Sequence, residues 1–268
     1  MHAFVLRRNV VDQWRALAAF GAGLLLLALA YLAFYPSIHN SGTNIQQLLN
    51  TLPAGLRDAF LGAGVDYNTP SGYIGTELFA VILPVILVAL AIVNGSRALA
   101  GEEGNGTLDL VLSAPLRRSR LVVEKAVSVS LPLLALGAAV WVMVIAVGPA
   151  FGITVSPGGL AVAILANVLM ALGFGLLAML VAGATGSRGL GAGVAAALAV
   201  LLYVINALGS AVLSVQGVTS AVSPFHWRGG PGVLVTGVDW QGMAALIVAP
   251  LVLLALSVVA FDRRDLHA

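Results

Sequence analysis

Apolar residues in this chain do not mark one face of a helix. They fill whole runs of about 20 residues, the length an α-helix needs to cross the hydrocarbon core of a bilayer. Three such runs stand alone, at 16–35, 73–96 and 240–261. Two longer tracts, 126–187 and 189–227, contain no Asp, Glu, Lys or Arg. Pro and Gly cluster in GPAFGITVSPGG at 148–159, a turn signal that divides the first tract into spans at 126–147 and 160–183. The second tract opens after the polar turn ATGSRG at 184–189 and supplies a fifth of the six spans, at 190–213. The pattern predicts an all-α integral membrane protein with six transmembrane helices in a single domain, 1–268, without internal repeats.

The segments between the spans differ in character. Residues 1–15 alternate Phe4, Val5, Val11 and Trp14 with Arg7, Arg8, Asp12 and Arg15, which predicts an amphipathic helix lying in the membrane interface. The loop at 36–72 is expected on the external side. Its Ile45, Leu48, Leu49, Leu52, Leu56 and Phe60 recur near helical spacing around Pro53, so two short surface helices are expected there. The stretch 215–238, with SPFHW and a Gly-Gly-Pro-Gly turn, is too apolar for a plain loop and reads as partly re-entering the outer leaflet.

Composition and charge support the membrane reading and orient it. Sixty per cent of residues are hydrophobic and 9% charged, a balance no ordinary soluble domain shows. Six spans place Arg7, Arg8, Arg15, Arg97, Arg117, Arg118, Arg120, Lys125, Arg188, Arg263 and Arg264 on one side, leaving Arg57 and Arg228 on the other. By the positive-inside rule both termini are expected to be cytoplasmic. Ala28-Leu29-Ala30 resembles a cleavage site, but the apolar run continues beyond it to Phe34 and exceeds a signal-peptide core. The net charge of +2 gives no reason to expect nucleic acid as a partner.

Several chemistries are excluded. Lys125 is the single lysine, flanked by Glu124 and Ala126, so a phosphate-cradling Gly-Lys-Ser/Thr loop does not occur and any ATP-driven engine must be another chain. A GxGxxA match at 191–196 opens a membrane span where a nucleotide site needs a preceding strand, and reads instead as small residues for close helix packing. His2, His39, His226 and His267 lack metal-ligand spacing, and no GxSxG or HExxH occurs. With no cysteine either, neither a metal site nor a catalytic residue is expected.

Against this apolar background, the 29 residues 97–125 hold nine of the chain's 24 charged residues. Glu102, Glu103 and a flexible Gly104-Asn105-Gly106 lead to Thr107; Asn105 or Thr107 suits a helix N-cap. Leu108, Leu110, Val111 and Leu112 form an apolar ridge, Ser113 caps a second start, and Pro115 falls in its first turn ahead of Arg117, Arg118 and Arg120. A short helix of this kind, apolar on one side and charged at both ends, fits a groove on a cytoplasmic partner. An ordinary basic loop obeying the positive-inside rule is the plainer alternative.

The run EEGNGTLDLVLSAPLRRSR at 102–120 closely resembles the cytoplasmic signature of type-2 ABC permeases, the membrane subunits of ATP-driven exporters. The six spans, the amphipathic start, Ser223-Pro224-Phe225 and the terminal segment 261–266 extend the likeness over most of the chain. The resemblance implies that 102–115 is a coupling helix entering the cleft of an ABC ATP-binding subunit, which holds ATP and Mg. It assigns that contact to Glu102, Glu103, Gly106, Thr107, Leu108, Leu112, Ser113, Pro115 and Arg118. Leu116-Arg117-Arg118-Ser119-Arg120 is more basic than the family's usual small-residue stretch. The resemblance also implies a dimer, with a second copy or a homologous permease, in a cell membrane; the Arg and Ala/Gly/Val richness suggests a bacterial one.

Within the spans, Glu77 is the one acid well inside, about one turn from the outer edge, where it reaches water or pairs with Arg57 or Arg228. Asn206 and Ser210 in the fifth span, and Asn167 in the fourth, are the next polar candidates. The resemblance implies that spans two and five line the pathway, which favours Glu77, Phe79, Leu83, Asn206 and Ser210. The expected function is export of a hydrophobic or amphipathic substrate such as a drug-like compound, peptide antibiotic or lipid. The rival is a membrane scaffold that docks a soluble protein and moves nothing.

Overall fold

The computed structural model describes residues 2–40, 64–99, 118–211 and 221–262, with positions 47, 51–53, 57 and 217. The coupling-helix candidates Glu102 to Pro115 lie outside these residues, as does the side chain of Arg118. The described elements are helices: α1 (His2–Asn40), α2 (Pro70–Ala98), α3 (Arg118–Val147), α4 (Pro157–Thr185), α5 (Arg188–Ala211), two single turns α6 (Pro224–Trp227) and α7 (Val233–Thr236), and α8 (Trp240–Asp262). Six of them, α1 to α5 and α8, are long and apolar enough to cross a membrane.

Local chemistry sets the helix ends. Thr69 caps α2 by accepting the Gly72 amide at 3.1 Å while its hydroxyl donates to the Asp66 carbonyl at 2.8 Å, and Pro70 occupies the first turn, where no amide is needed. Helix α3 tightens into a 3₁₀ turn at Gly148–Phe151, and Gly152 at φ 77° reverses the chain. Ser156 then caps α4. At the far end of α4, Gly186 at φ 70° returns its amide to the Ala182 carbonyl, and Ser187 accepts the Leu190 amide to begin α5.

The two most buried helices, α2 and α4, form the centre, and α4 packs on α2, α3, α5 and α8. Lipid is as apolar as leucine, so close van der Waals contact drives helix association in a bilayer, and small residues permit it. A Cβ on Gly95 of α2 would run into the Gly175 carbonyl of α4. One on Gly191 of α5 would sit 2.6 Å from both the Ala178 carbonyl oxygen and the Ala182 Cβ of α4. The GxGxxA run therefore acts in helix packing through Gly191, whereas Gly193 faces open space. The outer faces of α1, α5 and α8 expose leucine and valine, as lipid-facing helices do.

Residues 2–15 are helical and continuous with the first span, since α1 runs unbroken from His2 to Asn40. Helix α3 takes in the end of the segment 97–125, from Arg118, and Lys125 is buried on it beside Leu121, Val122 and Val129. Four methylenes let a lysine pack along such apolar neighbours.

Candidate translocation site

After an α-helical first turn, α2 is π-helical from Gly75 to Ile82, and Leu83 closes this run by donating its amide to the Leu78 carbonyl. The next residue is Pro84. An α-helical bond would pair the Ala80 carbonyl with the amide of residue 84, and a π-helical bond would pair Phe79 with it; proline has no amide to give. Whichever bond the helix would use, the proline withholds a donor from this pair of carbonyls.

Arg228 satisfies both. Its Nη1 donates to the Phe79 carbonyl at 2.6 Å and its Nη2 to the Ala80 carbonyl at 3.0 Å. Nη1 also reaches Asn167 Oδ1 at 3.4 Å, and Asn167, fully buried on α4, anchors itself by donating Nδ2 to the Ala163 carbonyl at 2.9 Å. The guanidinium lies 5.9 Å from the Phe225 ring centroid. Its Nε is buried without an acceptor among the described residues. A guanidinium stays protonated, so a full positive charge is held here by carbonyl dipoles and an aromatic ring.

The segment carrying Arg228 is folded to deliver it. Ser223, fully buried, donates its hydroxyl to the Leu202 carbonyl of α5 at 3.2 Å. Phe225 packs against Phe174 of α4 and Tyr203 of α5 at centroid distances of 5.9 and 5.4 Å. Gly229 and Gly230, at φ 86° and 59°, turn the chain directly after Arg228, a conformation that favours glycine. Gly75 lets the Pro231 carbonyl lie against the π-helical segment.

Glu77 occupies the same π-helical segment, half-buried. Its partner is Tyr67, whose hydroxyl donates to Glu77 Oε1 at 2.6 Å; Arg228 is committed to the carbonyls. Burial, followed by that hydrogen bond and the charge of Glu77, pushes the Tyr67 phenol far above its usual range. Tyr73 packs edge-on to Tyr67 at 5.5 Å and tilted to Tyr35 at 5.1 Å, and His39 stacks on Tyr35 at 5.4 Å.

The remaining pathway candidates are dispersed. Phe79 and Leu83 are fully buried in the single chain, and the Phe79 backbone forms half of the Arg228 clasp. Asn206 is half-buried on α5, and the Ser210 side chain lies outside the described residues. Arg228 and Tyr67 were not among the candidates. Pro84 inside a span was the available signal, since it announces a carbonyl in need of a donor. An apolar cavity of about 160 Å³ opens between α4, α5, α6 and α8, lined by Phe174, Leu198, Trp227 and Pro250 among others.

A family model described as ABC-2 family transporter protein matches residues 4–266. No curated protein matches the chain. Six apolar helices and a match over nearly the whole length agree on one class, in which the membrane subunit is distinct from the ATPase. The chain belongs to the ABC-2 transporter family, as a multi-pass membrane subunit that partners a separate ABC ATP-binding subunit.

Proposed function

We propose that this chain is the permease of an ATP-driven exporter in a bacterial cell membrane. Two copies, or this chain and a homologous one, form the pathway. Two ATP-binding subunits, which hold ATP and Mg, grip the cytoplasmic connectors through Glu102, Glu103, Gly106, Thr107, Leu108, Leu112, Ser113, Pro115 and Arg118. The observation that carries the reading is the connection of that charged segment to α2, the helix at the centre of the bundle. Closure of the ATPases would push the connector, and α2 would move with α4 across their glycine contact, shifting the bundle between inward and outward states. An interior lined by Leu, Val and Phe favours a hydrophobic or amphipathic substrate, with Glu77 and Asn206 as its polar contacts.

The test is to purify the chain with its ABC ATP-binding subunit and replace Glu102 and Leu108 by alanine. Loss of substrate-coupled ATP hydrolysis is expected. Unchanged complex formation together with unchanged hydrolysis would remove the coupling role, and a stable complex that transports nothing would leave a scaffold.

A further inference from the structure

The apolar cavity between α4, α5, α6 and α8 has a defined depth, a roof and a mouth. Gly173 on α4, Leu198 on α5 and Pro250 on α8 line it, and each lies near the middle of its helix. Helices of this length span the hydrocarbon core, so the cavity sits near the midplane of the bilayer. Pro224 and Trp227 of α6 are also on its wall, and α6 packs on both α5 and α8, closing the end of the cavity nearest the α5–α8 connection. Helices α5 and α8 each pack on α4 but, among the described residues, not closely on one another, which leaves a lateral mouth between them. Leu198 on the wall is itself exposed at the surface, and the outer faces of both helices carry exposed leucine and valine.

Small residues make the space. A Cβ on Gly173 would come no nearer than 3.9 Å to Pro250 Cγ, and the residue before that proline on the wall is Ala249. The lining is Leu, Met, Phe, Pro, Trp, Ala and Gly, a wall that lacks the two to four polar partners a water needs. Its volume of about 160 Å³ is close to the roughly 150 Å³ of apolar cavity that takes one benzene, so there is room for about six carbons. At the midplane of a bilayer the carbon at hand is the methyl end of a lipid acyl chain, and the lateral mouth admits it. A lining with nothing against it forfeits dispersion contacts that a chain end restores. We propose that this cavity binds the methyl end of an acyl chain from a membrane lipid, inserted between α5 and α8 and seated against Gly173, Pro250 and Trp227. The site does not depend on the exporter reading.

The experiment uses the full chain, one copy per nanodisc, in phosphatidylcholine whose acyl chains are dibrominated either near the methyl end or near the carboxyl end. Bromine quenches tryptophan at short range, and the Trp227 signal is the difference between the chain and Trp227→Phe. Methyl-end bromine is expected to quench Trp227 at least threefold more than carboxyl-end bromine. Gly173→Leu, which fills the cavity from its α4 wall, should cut that quenching by at least half, whereas Gly193→Leu, facing open space on α5, should leave it within a fifth of wild type. Equal quenching from the two bromine positions, or methyl-end quenching unaltered in Gly173→Leu, overturns the proposal. Methyl-end quenching that disappears in nanodiscs holding two copies also overturns it, since a second copy then covers the mouth. The comparison of bromine positions needs neither glycine variant and holds even where Gly173→Leu fails to fold.

Discussion

Removing the Arg228 clasp tests the structural logic of α2 most directly. Arg228→Met keeps much of the side-chain volume but strands the Phe79 and Ala80 carbonyls, which now accept at 2.6 and 3.0 Å. Leaving a buried acceptor unsatisfied costs about 1–3 kcal/mol, so losing this donor costs about 1–6 kcal/mol across the pair. Part of this is offset because the variant no longer buries a guanidinium whose Nε has no acceptor. A net loss of about 3 kcal/mol is expected. The chain has no cysteine for thiol dyes but has four tryptophans, one of them Trp227 beside the clasp, so unfolding in detergent is best followed by intrinsic fluorescence. Pro84→Ala provides the control, because it supplies an amide that can pair with Ala80. In that background the Arg228→Met cost should fall by about 1–2 kcal/mol, a coupling that a double-mutant cycle resolves. Additive costs, or an Arg228→Met variant as stable as wild type, would refute the account.

Other outcomes follow from single contacts. Gly95→Ala should destabilise the bundle by about 3 kcal/mol, since its Cβ meets the Gly175 backbone, whereas Gly193→Ala, facing open space, should gain about 0.5–1 kcal/mol of helix propensity; melting curves of the two variants check this. Ser223→Ala should cost about 1 kcal/mol in the same assay through loss of the hydroxyl donated to Leu202. Tyr67→Phe should be less stable than wild type near pH 8. The folded-state phenol is held above its unfolded value of 10.0, so its contribution is complete below about pH 10 and is lost as pH rises beyond it. The gap in melting temperature between wild type and Tyr67→Phe should therefore close above pH 10, and a gap that widened there would contradict the assignment.

Much of the helix framework was legible because membrane helices declare themselves by composition. Runs of about 20 apolar residues leave few alternatives when every backbone polar group must be satisfied internally. The turn between α3 and α4 was equally legible, its Pro and Gly at 148–159 becoming a 3₁₀ turn and a left-handed Gly152. Less could be read where one apolar pattern suits two structures. Residues 2–15 read as an amphipathic helix, and only the fold shows that it is continuous with α1.

The sequence by itself determined the membrane class, the six helices and the family likeness carried by 102–120, because these depend on local composition and short motifs. Partners far apart in the chain were decided only by tertiary structure. Pro84 shows from sequence that a carbonyl goes unpaired, but not that Arg228, 144 positions later, is the group that reaches it. Glu77 shows as an acid in a span, but its partner does not show from sequence. The fold gives Glu77 the Tyr67 hydroxyl and Arg228 the Phe79 and Ala80 carbonyls, because the buried Ser223–Trp227 turn and the left-handed Gly229 and Gly230 set where the guanidinium lies.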